Sequence, residues 1–157
     1  MLTSQIIDAA VAAALHEDAP WGDATSEAVI PAGATATARL VARESGVFSG
    51  GEVFAAAMRL VDPAIRTTLA LPDGEFFSIG KVLAEVSGPA RSVLTAERVA
   101  LNFVQRMSGI ATLTARYVNA VTGTRARTSR SASVTDRPPA VSTARWLSLT
   151  STASDSE

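Results

Sequence analysis

The sequence predicts an α+β fold in which helices cover one face of an antiparallel or mixed β-sheet. Three stretches, 3–16, 52–61 and 94–123, place apolar residues three or four positions apart, which is the spacing of an amphipathic helix. Between them, segments 36–43 and 65–71 alternate their two faces with the period of a strand that has one buried side. A chain of 157 residues, 47% of them hydrophobic, can bury a sizeable core of this kind within one domain.

Composition excludes several classes of chemistry. The chain has no cysteine, which rules out disulfides, thiolate zinc sites and cysteine nucleophiles. Its one histidine, His16, makes a two-histidine metal site or a Ser-His-Asp triad nearly impossible. A net charge of -1 gives no basic field for nucleic acid. No apolar run approaches the roughly 18 residues of a membrane span, and we expect a soluble, cytoplasmic protein with neither a membrane nor a nucleic-acid partner.

The first half of the chain is divided by turn signals. The helix over 3–16 is predicted to end at the turn 20–22, and a polar loop follows at 23–26. After the strand over 36–43, Ser49 and Glu52 have the spacing of a capping box, which predicts a helix from 52 to 61.

The second half begins with strands and ends in a long helix. Short strands are predicted over 65–71, 75–79 and 82–86, and a helix over 94–123 follows. The apolar face of this helix is expected to consist of Phe103, Met107, Ile110, Leu113, Tyr117 and Val121. Beyond residue 127 the chain is rich in Ser and Thr and has no sustained period, so we expect a disordered tail with Trp146 and Leu147 as its apolar anchor.

Four features are candidates for chemistry, each with a structural alternative. Arg98 follows Glu97 near the expected helix start and carries a charge that opposes the helix dipole; it is either an anion-binding fork or a surface ion pair. His16, Glu17 and Asp18 form either an acid–base cluster or a solvated helix end. Three glycines form either a phosphate cradle or a turn before a helix: Gly46, Gly50 and Gly51. Ser108-Gly109 marks either a kink or close helix packing.

Three segments resemble the quinolinate phosphoribosyltransferases, the carboxylating nicotinate-nucleotide pyrophosphorylases. They read ALHEDAPWGDATSEAVIP, LVARESGVFSGGEVF and LTAERVALNFVQRMSGIATLTARYVNAVTGTRAR, and together they run from about residue 15 to residue 127. LTAER with LN and SGIAT is the most specific part. The Glu17-Asp18 and Gly22–Thr25 segment and the Ala42–Gly46 segment are supporting matches.

The resemblance implies a fold, a reaction and partners. The fold is an N-terminal α/β sandwich domain, expected at 1–108, followed by only the first helix of an α/β barrel domain at 109–127. The reaction joins quinolinate and phosphoribosyl pyrophosphate, with Mg²⁺ bound to the latter, and gives nicotinate mononucleotide, CO₂ and pyrophosphate in NAD biosynthesis. Homodimers form head to tail, so Arg98 would contact a quinolinate carboxylate in the partner's site.

The sequence departs from the family after residue 127. The family continues into a strand with a DTRK motif, whereas residues 128–157 show no such match. We expect these residues to be an unrelated, disordered or out-of-frame tail, and we expect the chain to be a truncated, inactive form without catalytic or metal-binding residues of its own. The alternative is a non-catalytic dimerising module that associates with a full-length subunit.

Overall fold

The computed structural model describes residues 2–20 and 22–122, and the backbone of residues 144–152. Four helices and six strands lie in these ranges. In chain order they are α1 (Ser4–Asp18), α2 (Ala24–Val29), β1 (Thr35–Ala42), β2 (Gly46–Val47), α3 (Gly51–Val61), β3 (Arg66–Leu69), β4 (Phe76–Phe77), β5 (Val82–Pro89), α4 (Ala90–Val121) and β6 (Ala144–Thr152).

The strands form a four-stranded sheet and a separate pair. The larger sheet has the order β3-β5-β1-β6, and β2 pairs with β4. The predicted α+β class is therefore confirmed, and of the two expected sheet types the described part of the chain has the antiparallel one. The predicted strands over 65–71 and 75–79 shrink to four and two residues.

Strand β1 shows the alternation that the sequence predicts. Its buried positions are Ala36, Ala38, Leu40 and Ala42, and the residues between them are exposed or half-buried. Side chains on one face of a strand repeat every second residue, so this face packs on the core while the other faces solvent. The core itself lies between this face and the helices and includes the fully buried Phe48, Phe54 and Met58.

Helix α1 agrees with its prediction, whereas α2 corrects the polar loop predicted at 23–26. Thr3 caps α1 by accepting a hydrogen bond from the Ile6 amide, as an N-cap residue does. In α2, the Asp23 carboxylate accepts hydrogen bonds from the amides of Thr25 and Ser26 at 3.1 and 3.2 Å. An N-cap at Asp23 therefore turns the expected loop into a short helix.

Helix α3 begins without the predicted Ser49–Glu52 capping box. Its N-cap is Gly50, in a left-handed conformation with φ 97° that favours glycine. The Asp73 carboxylate instead accepts hydrogen bonds from the amides of Gly50 and Gly51, at 2.8 and 2.9 Å. A carboxylate at a helix N-terminus is favoured by the helix dipole, so a residue distant in sequence performs the role assigned to Ser49.

Helix α4 starts earlier than predicted and buries a different face. It follows directly from β5 and begins at Ala90, four residues before the expected start. Its buried face consists of small residues: Ala90, Val93, Ala96, Val99, Ala100, Val104, Ser108 and Gly109. Of the face predicted from the larger apolar residues, Ile110 and Tyr117 are 60% and 53% exposed. Small side chains let α4 approach its neighbours closely, which the hydrophobic period does not reveal.

The tail also differs from its prediction in one part. Residues 144–152 form β6, which pairs with β1 from Thr35 opposite Thr152 to Ala42 opposite Ala144, with a register shift between Thr37 and Arg39. A strand edge offers unpaired backbone groups that a polar segment without its own period can join. The rest of the predicted disordered tail lies outside the described residues.

Candidate functional site

Arg98 lies on the third turn of α4, where the dipole argument used to single it out does not apply. Since α4 begins at Ala90, Arg98 is the ninth helical residue, and the dipole acts within the first turn. The arginine of the first turn is Arg91, whose guanidinium donates hydrogen bonds to the carbonyls of Ile30 and Glu27 at 2.7 and 2.9 Å. Arg91 thus satisfies carbonyl groups at the C-terminal end of α2, whereas Arg98 lies at the surface.

The Arg98 guanidinium is exposed and held by one carboxylate. Its Nη1 donates a hydrogen bond to Asp18 Oδ1 at 3.2 Å, and the Arg98 side chain is 75% exposed. Charge-assisted N–H···O bonds of the strong kind measure about 2.7–2.9 Å. The surface ion pair expected as the alternative is therefore present, with Asp18 as the partner, and it leaves most of the guanidinium accessible.

A cleft of about 370 Å³ lies beside Arg98. Its wall on α4 combines Arg98 with Asn102 and Gln105, which follow at four and seven positions and so share one helix face. The other residues that line it are Asp23, Ser26, Leu94, Glu97 and Leu101. A smaller groove of about 110 Å³ continues from Arg98 toward Asp18 and Gly22. Of this wall, Arg98 alone was identified from the sequence, although the polar spacing 98, 102, 105 was a signal for the other two residues.

Three carboxylates surround the one guanidinium. The Ser26 hydroxyl and amide lower the pKa of Asp23, and the positive charge of Arg98 lowers it further. Burial raises the pKa of the Glu97 carboxyl, because desolvation disfavours its charged form. With Asp18, these groups make the cleft more negative than positive near neutral pH. A dianionic ligand at Arg98 therefore needs further positive charge from another surface.

The SGIAT motif connects α4 to the β2 segment through two hydroxyls. Ser108 is buried, and its Oγ accepts a hydrogen bond from the Ser49 amide and donates one to the Ser49 carbonyl, both at 3.1 Å. One turn later, Thr112 Oγ1 accepts a hydrogen bond from the Val47 amide at 2.9 Å. The two hydroxyls satisfy backbone groups of a segment that has few strand partners. We call this pair of residues the hydroxyl clamp.

The glycines near β2 make room for side chains of α4, and their surroundings favour the turn interpretation over the phosphate cradle. A Cβ at Gly46 would lie 2.6 Å from Thr112 Oγ1, and one at Gly50 would lie 2.9 Å from the Met107 sulfur. The Asp73 carboxylate already takes the amides of Gly50 and Gly51. Helix α4 continues unbroken through the buried Gly109, so of the two interpretations of Ser108-Gly109 the structure favours close packing over a kink.

The remaining candidates do not join the cleft as a group. His16 and Glu17 are exposed in the last turn of α1, and only Asp18 of that trio reaches Arg98. Among the described residues, no group of three or more His, Cys, Asp or Glu is placed to hold a metal ion. No helix in the described part of the chain is long and apolar enough to cross a membrane.

The comparisons with known proteins agree with this fold. The family described as "Quinolinate phosphoribosyl transferase, N-terminal domain" matches residues 23–108, more than half of the chain. A Mycobacterium leprae relative, "Nicotinate-nucleotide pyrophosphorylase [carboxylating]", is 41% identical over 136 residues, covering 81% of this chain and 47% of its own length. The crystal structure of NadC from Streptococcus pyogenes matches with a TM-score of 0.74 and 39% identity, covering 77% of this chain and 43% of that one. The nicotinate-nucleotide pyrophosphorylase of Francisella tularensis matches with a TM-score of 0.74 and 29% identity, covering 78% and 44%.

These matches define an α/β domain of the phosphoribosyltransferase class. The chain belongs to the quinolinate phosphoribosyltransferase family through its N-terminal domain. It spans less than half the length of the relatives named above.

Proposed function

We propose that this chain acts as the N-terminal domain of a quinolinate phosphoribosyltransferase and that Arg98 binds a substrate carboxylate. In the proposed reaction, the phosphoribosyl group of phosphoribosyl pyrophosphate moves to the ring nitrogen of quinolinate. Loss of a carboxylate gives nicotinate mononucleotide, CO₂ and pyrophosphate, a step in NAD biosynthesis. The proposal includes a cytoplasmic location, with which the cysteine-free composition is compatible.

The state of the Arg98 guanidinium is the observation that carries this proposal. A planar fork suits the two oxygens of a carboxylate, and quinolinate carries two carboxylates. Arg98 is 75% exposed, and its single contact with Asp18 is long at 3.2 Å. An exposed pair of this kind stabilises by about 0–1 kcal/mol, so an incoming carboxylate can displace Asp18 at little cost.

The charge balance of the cleft supports a site shared between subunits. Asp18, Asp23 and Glu97 lie around Arg98, so the cleft alone repels a dianion. A second subunit that brings basic groups would reverse this balance, and we propose a homodimer or an association with a full-length subunit as the working assembly. The chain alone is expected to form no nicotinate mononucleotide.

Magnesium belongs to this proposal only as a companion of phosphoribosyl pyrophosphate. Mg²⁺ takes oxygen ligands and commonly binds through substrate phosphates with one or two carboxylates. The described residues do not fit a resident magnesium site, because they contain no acidic cluster of the required kind. We assign no described residue to the metal.

Complementation between subunits tests the role of Arg98. A full-length subunit of the Mycobacterium leprae relative, with alanine at the position aligned with Arg98, is mixed with this chain, and nicotinate mononucleotide formation is measured. The parent chain should restore activity, and Arg98→Lys should restore less than a tenth of it. Arg106→Lys is the matched control, because Arg106 is exposed on the same helix and does not line the cleft. Equal activity with Arg98→Lys and the parent would refute the assignment.

The alternative is a non-catalytic dimerising module, and one observation favours it. The second half of α4 exposes Ile110, Tyr117 and Val118, at 60%, 53% and 45%. Exposed apolar residues clustered on one element are typical of an interaction surface. Under this alternative the chain associates with the full-length subunit in the mixing experiment but restores no activity. Failure to associate would exclude both proposals.

A further inference from the structure

The outer edge of β1 differs from the other sheet edges in the described part of the chain. Strand β1 has eight residues, whereas the opposite edge strand, β3, has four. Without β6, β1 would be the edge strand of the larger sheet. A long edge strand with unpaired N–H and C=O groups is a template for pairing with another chain, whereas a very short one is not.

Strand β6 covers most of this edge, with one irregularity in the pairing between Thr37 and Arg39. It pairs antiparallel with β1 at seven positions, from Thr35 opposite Thr152 to Ala42 opposite Ala144. Four of its nine residues are Ser or Thr and one is Arg, in a segment that the family resemblance does not include. The cover therefore comes from the part of the chain that departs from the family and is a feature of this protein's own sequence.

Backbone hydrogen bonds on the β5 side indicate which β1 amides are directed toward β6. The Ala42 amide donates to the Lys81 carbonyl, and the Ala34 carbonyl accepts from the Ala90 amide, both on the β5 side. Successive residues of a strand direct their backbone groups to alternate neighbours. The backbone groups of Ala38 and Leu40 therefore bond toward β5, like those of Ala42. The backbone groups of the alternate residues Thr37, Arg39 and Val41 bond toward β6.

We propose that residues 144–152 act as a strand cover that keeps the chain from associating through β1. When β6 is displaced, the exposed edge pairs antiparallel with β1 of a second copy. An edge strand that pairs with its own copy across a two-fold axis forms a closed, isologous contact. The strand that β6 covers, β1, contributes no residue to the cleft at Arg98, so the proposal does not rest on the proposed substrate site.

Hydrogen exchange of individual amides in the full chain tests the cover. The amides of Thr37, Arg39 and Val41 should exchange as slowly as those of Leu40 and Ala42. Leu147→Pro removes a backbone donor opposite Arg39 and should speed exchange of the first set at least tenfold at low protein concentration, with the second set unchanged. Ser154→Pro lies outside β6 and is the matched control.

Sedimentation of the same proteins tests the self-association. The parent and Ser154→Pro should share one association state over the concentrations at which Leu147→Pro associates one step further, and that added association should restore slow exchange to Thr37, Arg39 and Val41. Fast exchange of these three amides in the parent chain would by itself overturn the proposal. It would also be overturned if Leu147→Pro kept the parental association state or the parental exchange rates.

Discussion

The hydroxyl clamp provides a sharp test of how the family motif acts. Ser108→Ala removes one oxygen from a side chain that is 1% exposed, and this oxygen bonds both the amide and the carbonyl of Ser49 at 3.1 Å. The change makes no clash, because alanine is smaller. It leaves two backbone groups of a half-buried residue without their partner.

The expected cost follows from these two groups. Leaving a buried donor or acceptor unsatisfied costs about 1–3 kcal/mol, and partial access of water to Ser49 reduces the sum toward the lower end. Alanine returns about 0.5 kcal/mol through its better helix propensity. We expect Ser108→Ala to lower the free energy of unfolding by about 2 kcal/mol. At about 2–4 °C per kcal/mol for a chain of this size, Tm falls by about 4–8 °C.

Urea unfolding followed by circular dichroism measures this change. Thr114→Ala is the matched control, because Thr114 is an exposed hydroxyl residue on the same helix, and its effect should stay within about 0.5 kcal/mol. A Ser108→Ala effect as small as that of the control would refute the clamp as a stabilising contact.

Three further changes test the packing and charge around the site. Gly46→Ala should lower the free energy of unfolding by about 1–3 kcal/mol in urea titrations, since its Cβ would lie 2.6 Å from Thr112 Oγ1, while Gly33→Ala, with nothing within 4 Å, should cost nothing measurable. Asp73→Ala should cost about 1 kcal/mol in the same assay by uncapping α3. Burial raises the pKa of Glu97 in the folded state above its ordinary value of 4.5, so ionisation of this carboxyl opposes folding as the pH rises above that value. Glu97→Gln should therefore stabilise the chain at pH 7 and lose that advantage near pH 4; an unchanged pH profile would contradict this.

Periodicity identified the elements whose stability comes from a single apolar face. The alternation of β1 and the helical spacing of α1 and α3 are local signals, and the structure agrees with them. The buried face of α4 gave no local signal, because it consists of Ala, Val, Ser and Gly packed against other elements. The larger apolar residues of α4 beyond Ser108 are mostly exposed, although their helical spacing predicted that they would face the core.

Caps and site residues depended on contacts between distant segments. Asp23 could have been recognised as a local cap, whereas Asp73 caps α3 from 22 residues away and no spacing rule reveals it. Arg98 was found, but through a dipole argument that the true start of α4 removes; its exposure and its partner Asp18 came only with the fold. The SGIAT motif was recognised by resemblance, and the structure supplies its physical reason in the hydroxyl clamp.

The most direct test of the central claim is the affinity of the mixed assembly for quinolinate. Calorimetric titration compares quinolinate with pyridine-3-carboxylate, which lacks one carboxylate, on assemblies that contain the parent chain, Arg98→Ala or Arg106→Ala. Loss of charged hydrogen bonds of about 1.5–3 kcal/mol corresponds to a Kd for quinolinate about 10- to 100-fold weaker with Arg98→Ala. The preference for quinolinate over the monocarboxylate should fall by a similar factor, while Arg106→Ala leaves both unchanged. Parental affinity and parental preference with Arg98→Ala would contradict the assignment of Arg98 to a substrate carboxylate.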